Sequence, residues 1–119
     1  MQEGKIFRIN EMEWTPVQGE HGTAQHYDKC LVTDPLNGMI VNVSKYPKGY
    51  HLAWHKHSCA HGMYVIKGSM ETNLGTVKAG DFVWWPAGVA MEHGATATED
   101  CEFLFVTNSP FDIEFTEKQ

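Results

Sequence analysis

The chain reads as an all-β barrel or sandwich, and two observations predict it. Short runs rich in Val, Ile, Phe, Tyr and Trp recur between Gly, Pro and Asn turns. No stretch sustains a capped helical period. A third observation, the placing of the histidines, points to what such a barrel would hold.

From Gly4 to Val17 apolar residues alternate irregularly with polar ones, which predicts an extended arm with one or two short strands, ended by Pro16 and Gly19. A loop follows over residues 20–25, then a strand over 27–33. Asn37-Gly38 is a strong hairpin signal. Met39, Val41 and Val43 alternate with Ile40, Asn42 and Ser44, so this strand is expected to bury its odd face. Pro47-Lys48-Gly49 is a turn. Two further runs, 50–57 and 61–67, make a hairpin closed by Gly68. Turns are expected at Asn73–Gly75 and Lys78–Asp81. Phe82-Val83-Trp84-Trp85 and 101–107 are apolar on both faces, and Phe111, Ile113 and Phe115 alternate in the tail. At 119 residues the chain is expected to be a single domain.

His55, His57 and His61 fall within seven positions, and His93 follows downstream. On a strand, residues two apart leave the same face, so His55 and His57 should point together, with His61 on the next arm. Neutral imidazole is the commonest nitrogen ligand of zinc, iron, copper, nickel and manganese. The plain alternative is a set of surface histidines on a hairpin. By parity Met63 and Val65 share the direction of His61, whereas Tyr64 and Ile66 point away. Met91 and a tryptophan, Trp84, are expected to join Met63 and Val65 around a substrate pocket. Glu71, Glu92, Thr72 and Asn42 are candidates to support the imidazoles from behind. His21, His26 and His51 read as loop or rim residues, and Cys59 as a turn residue.

Charged residues make up 20% of the chain and the formal net charge is −6, with no basic stripe, which argues against nucleic-acid binding. The amino terminus is charged rather than apolar, and no apolar run is long enough to span a bilayer, so a cytoplasmic, non-membrane protein is expected. Three widely spaced cysteines, Cys30, Cys59 and Cys101, suit reduced thiols.

Gly49, His55-x-His57, His61 and Gly68 resemble the first motif of the cupins, with His61 where that family usually has glutamate. Gly80-Asp81 and Pro86-Ala87-Gly88 resemble the second motif. Its histidine is expected at Met91, but His93 keeps the same strand parity. The resemblance implies a double-stranded β-helix, or jelly roll, with a core over 38–107, an arm over 1–20 and a carboxy-terminal strand over 110–116. It also implies a divalent metal on His55, His57, His61 and His93, with Fe(II) or Mn(II) favoured and Zn(II) or Ni(II) the alternatives. The expected activity is dioxygenase-like, on a small chelating carbonyl or phenolic compound. A non-redox lyase, isomerase or cyclase, and a small-molecule or metal-sensing module, are the alternatives. The resemblance further implies a homodimer, with the arm and the tail as candidate contacts.

Overall fold

The computed structural model describes residues 3–117. After a single 3-10 turn at Ile9–Glu11, the order is β1 (Thr15–Val17), β2 (His26–Thr33), β3 (Ile40–Tyr46), β4 (His51–Lys56), β5 (His61–Lys67), β6 (Ser69–Thr72), β7 (Gly75–Lys78), β8 (Phe82–Trp85), β9 (Met91–Ala95), β10 (Cys101–Thr107) and β11 (Glu114–Phe115). No helix of the described residues is long and apolar enough to cross a membrane.

The strands form two antiparallel sheets, β1-β2-β3-β10-β5-β8 and β11-β4-β9-β6-β7. Consecutive strands β5 and β6 lie in different sheets, so the chain winds between them as a jelly roll does. Gly68 makes this switch. It adopts φ +72°, and a Cβ there would stand 2.1 Å from the Asp100 carbonyl oxygen, so only glycine fits.

Period-two alternation decides what enters the barrel. In β5, His61, Met63 and Val65 are buried, while Tyr64 and Ile66 are exposed on the outer face. In β8 the pairing Met63↔Val83 and His61↔Trp85 puts Val83 and Trp85 inside. These join Tyr46, Met70 and Phe103 in one core. Burial of each large apolar side chain is worth about 1.5–3 kcal/mol.

Three expectations need correcting. Pro16 lies inside β1 instead of ending the arm; β1 is an edge strand, where a missing N–H breaks no ladder. In β3 the even set, Ile40, Asn42, Ser44 and Tyr46, lines the cavity. Val43, on the opposite face, is nevertheless buried. Beside it Lys29 and Lys45 reach over Trp14, at 4.4 and 4.8 Å from the ring, and Lys29 Nζ donates to the Ile9 carbonyl at 2.9 Å. The arm thus covers the outer side of β2 and β3, and periodicity alone could not tell which covered face was the lumen. Finally, in the tail only Glu114–Phe115 pair as strand, against Lys56 and His55. Phe111, Ile113 and Phe115 turn into the cavity of their own chain.

Candidate metal centre

His55 comes from the end of β4, His57 lies just beyond it, His61 opens β5 and His93 is central in β9. An irregularity between Leu52 and His55 shifts the β4–β9 register, so that Leu52 and His55 both reach the cavity despite opposite parity. Gly94 lets β9 approach closely, since a Cβ there would stand 2.1 Å from the Tyr50 carbonyl oxygen.

The four imidazoles are gathered together. Ring centroids are 4.9 Å apart for His55–His57, 4.9 Å for His55–His93 and 4.7 Å for His57–His61. All four are buried. His55, His57 and His93 line the cavity, and His61 does not line it but packs between Trp85 at 5.4 Å and Phe105 at 5.3 Å.

Burial lowers the pKa of each ring. His55 falls to about 4, against the opposing pull of the Ala53 carbonyl. His61 falls to about 3, with the His57 and His55 rings adding to burial. His93 is held well below its ordinary 6.5 by burial and then by its histidine neighbours. His57 is lowered by burial against the pull of the Asp112 carbonyl. The rings are therefore neutral at physiological pH, the form in which imidazole binds a metal.

Three rings are oriented from behind. His55 Nδ1–H donates to the Ala53 carbonyl at 2.6 Å, and His57 Nδ1–H donates to the Asp112 carbonyl. His93 Nδ1 meets Tyr46 Oη at 3.2 Å. These partners replace the expected Glu71, Glu92, Thr72 and Asn42: Glu92 lies near the exposed His51, Glu71 accepts from Thr76, and Thr72 bonds its own turn. Backbone carbonyls carry no sequence signal, so two of the three partners could not be read in advance.

With Nδ1 engaged, the Nε2 atoms of His55 and His93 remain buried with no partner among the described residues, as do both ring nitrogens of His61. An unpartnered buried polar atom costs about 1–3 kcal/mol, and a cation shared by these nitrogens would offset it. This donor set fits a borderline divalent ion such as Zn, Fe, Mn or Ni. The rings as they stand pack against one another: among the described residues, no three His, Cys, Asp or Glu side chains already converge as a ligand cage.

The remaining expectations divide. Met63 lines a cavity of about 440 Å³. Val65 and Met91 are buried in the core and do not line that cavity. Trp84 is corrected: it is 51% exposed on the outer face, and Trp85, 1% exposed, is the indole beside His61. Both choices satisfied the sequence, because either face of β8 is apolar. The cavity walls instead come from Leu52, Phe103, Phe105 and the tail residues Phe111, Ile113 and Phe115. His26, expected in a loop or at the rim, opens β2 and lines the cavity. Cys59 is buried, which raises its pKa and leaves it inert.

A two-sheet antiparallel jelly roll is the architecture of cupins, which share it with other β proteins. Residues 2–112 match the family of ChrR cupin-like domains, and the chain belongs to that family. Comparison with curated proteins gives no match. Among solved structures, a protein provisionally named an acetylacetone dioxygenase, from Methylibium petroleiphilum, is 20% identical at a TM-score of 0.78, covering 98% of this chain and 86% of its own. The polyketide cyclase RemF from Streptomyces resistomycificus is 17% identical at 0.78, covering 99% and 88%. The anti-sigma ChrR of Rhodobacter sphaeroides is 20% identical at 0.68, covering 84% of this chain and 51% of its own. At these identities the likeness is one of fold.

Proposed function

We propose that the chain is a metal-dependent enzyme in which His55, His57, His61 and His93 hold a divalent ion, and that its substrate is a small chelating carbonyl or phenolic compound oxidised by dioxygen. The observation that carries this reading is the cluster of four buried, neutral imidazoles beside an aromatic cavity, three of which, His55, His61 and His93, keep ring nitrogens without a partner among the described residues. An uncharged ligand set leaves a divalent ion its full charge, so when bound it would polarise an enolisable carbonyl and favour anionic chelating ligands.

The chain's own residues prepare the site. Ala53 and Asp112 fix the rings of His55 and His57 with Nδ1 protonated, which leaves Nε2 as the donor atom. Tyr46 Oη positions His93. Burial keeps Tyr46 protonated far above neutral pH, so it remains a neutral hydrogen-bonding group. Phe105, Phe111 and Phe115 exclude water and offer faces to a planar substrate. Asp112 also accepts from Ser58 N–H and Oγ–H, each at 2.7 Å, which ties the tail to the loop carrying His57.

The same uncharged set also supports non-redox Lewis-acid chemistry with Zn(II) or Ni(II). Oxygen uptake separates the two. Iron- or manganese-loaded protein is expected to consume dioxygen with a member of a panel of β-diketones and hydroxyacetophenones. Substrate turnover without uptake would move the assignment to a lyase, isomerase or cyclase. Neither uptake nor turnover, in protein that binds these compounds, would favour a sensing module.

A further inference from the structure

The cavity has a second polar end that the imidazoles do not use. On β2 and β3, Asp28, His26 and Ser44 form a small network at its wall. Ser44 Oγ–H donates to Asp28 Oδ1 at 2.7 Å, and His26 Nε2 lies 3.3 Å from the same oxygen. Both contacts use Oδ1; among the described residues Asp28 Oδ2 makes no hydrogen bond, and His26 Nδ1 is buried without a partner. Tyr46, stacked on Tyr50, links this network to the metal centre. The two tyrosine centroids are 4.2 Å apart, and His26 meets them edge-on at 6.0 and 5.9 Å. Tyr46 in turn stacks on His93 at 5.8 Å.

The charge around this end has one sign. Among the described residues no lysine or arginine lines the cavity, and the other carboxylate lining it is that of the exposed Glu20. The nearest cations by register, Lys29 and Lys45, are turned to the outer face and engaged there with Trp14. The remaining titratable groups around Asp28 are His26, Tyr46, Tyr50 and Cys30. Tyr46, Tyr50 and Cys30 are each raised, so all three stay protonated and neutral near pH 7.

From this we propose that Asp28, oriented by Ser44 and His26, is a specificity residue whose free Oδ2 accepts a hydrogen bond from a hydroxyl or amine on the end of the substrate remote from the imidazoles. This rests on the reading of the cavity as a substrate site. It narrows the substrate class to compounds bearing a distal donor or cation. Distal carboxylates, phosphates and nucleotide sugars would place like charge against Asp28 and are rejected.

Binding to metal-free protein tests this separately from the oxidation chemistry. The probes are acetophenone and its 4-hydroxy, 4-aminomethyl and 4-carboxy derivatives, titrated near pH 7.5 with affinity read from NMR chemical shifts. The 4-aminomethyl compound is expected to bind about tenfold tighter than acetophenone, as a hydrogen bond to a charged acceptor implies. The 4-hydroxy compound should fall between them and the 4-carboxy compound below. Asp28→Asn should erase the preference, whereas Ser44→Ala, which leaves the carboxylate, should keep most of it. Equal affinities across the wild-type series, or a preference retained in Asp28→Asn, would overturn the assignment, as would no binding to either metal-free or metal-loaded protein. Absent oxygen uptake would defeat the dioxygen reading and leave this result standing.

Discussion

Lowering the pH should destabilise the metal-free protein through its buried histidines, and the size of the effect follows from their environment. An imidazole in the unfolded chain has its ordinary pKa of 6.5, whereas His55 lies at about 4 and His61 at about 3 in the folded protein. Above 6.5 both states are neutral and nothing is lost. Between 6.5 and the folded values the unfolded state binds the proton and the folded state does not, so stability falls as pH falls. Near pH 5 the folded rings are still neutral, so each costs an independent increment, about 2 kcal/mol by proton linkage. His93, held well below its ordinary value by burial, shifts stability in the same direction. His55 and His61 together remove about 4 kcal/mol near pH 5, a large share of the stability of a typical domain, about 5–15 kcal/mol. Below about pH 4 His55 charges in both states and its share of the slope disappears. Urea unfolding of metal-free protein near pH 7.5 and near pH 5 reads this directly. His61→Gln should recover about 2 kcal/mol of the difference. A midpoint unchanged between the two conditions would refute the burial of neutral rings on which the metal centre depends.

Tyr46→Phe removes the group that holds His93 Nδ1. It should weaken metal affinity about 10–100-fold with little change in fold, measured by competition with a chromophoric chelator. The two adjacent tryptophans should behave oppositely. Trp85→Ala should cost about 3–5 kcal/mol in urea unfolding, since Trp85 is fully buried, whereas Trp84→Ala on the outer face should cost about 0.5 kcal/mol or less. Asp112→Ala removes both hydrogen bonds to Ser58. It should speed proteolytic clipping after Phe111 and loosen His57, seen as faster metal release, while the melting of the barrel changes little.

Much of this architecture is legible in the residues because turns and alternation are local. Gly68, Asn37-Gly38 and the β5 alternation place strands and faces without reference to distant contacts. The histidine set is legible for the same reason: spacing and parity bring His55, His57 and His61 to one side, and a shift of two leaves His93 facing inward. Illegible features depend on tertiary context. Trp84 and Trp85 are equivalent until β5 fixes which face of β8 is inside. The two covered faces of β3 cannot be told apart until the arm and its Trp14 lie over one of them. His26 and Asp28 sit in a strand whose text is mixed; Asp28 is placed in the cavity wall by its pairing with Ser44, and His26, two residues earlier, shares that face. The orienting carbonyls of Ala53 and Asp112 are backbone groups that any residue could supply.

The central claim is that His55, His57, His61 and His93 form one metal centre. The most direct test is the metal content of protein purified without added metal or chelator, by inductively coupled plasma mass spectrometry, followed by reconstitution of stripped protein. The account predicts about one divalent ion per chain, lost on His61→Ala or His93→Ala. Iron or manganese would direct the next assays to dioxygen, and zinc or nickel to Lewis-acid chemistry. No metal as purified and no uptake on reconstitution would contradict the account.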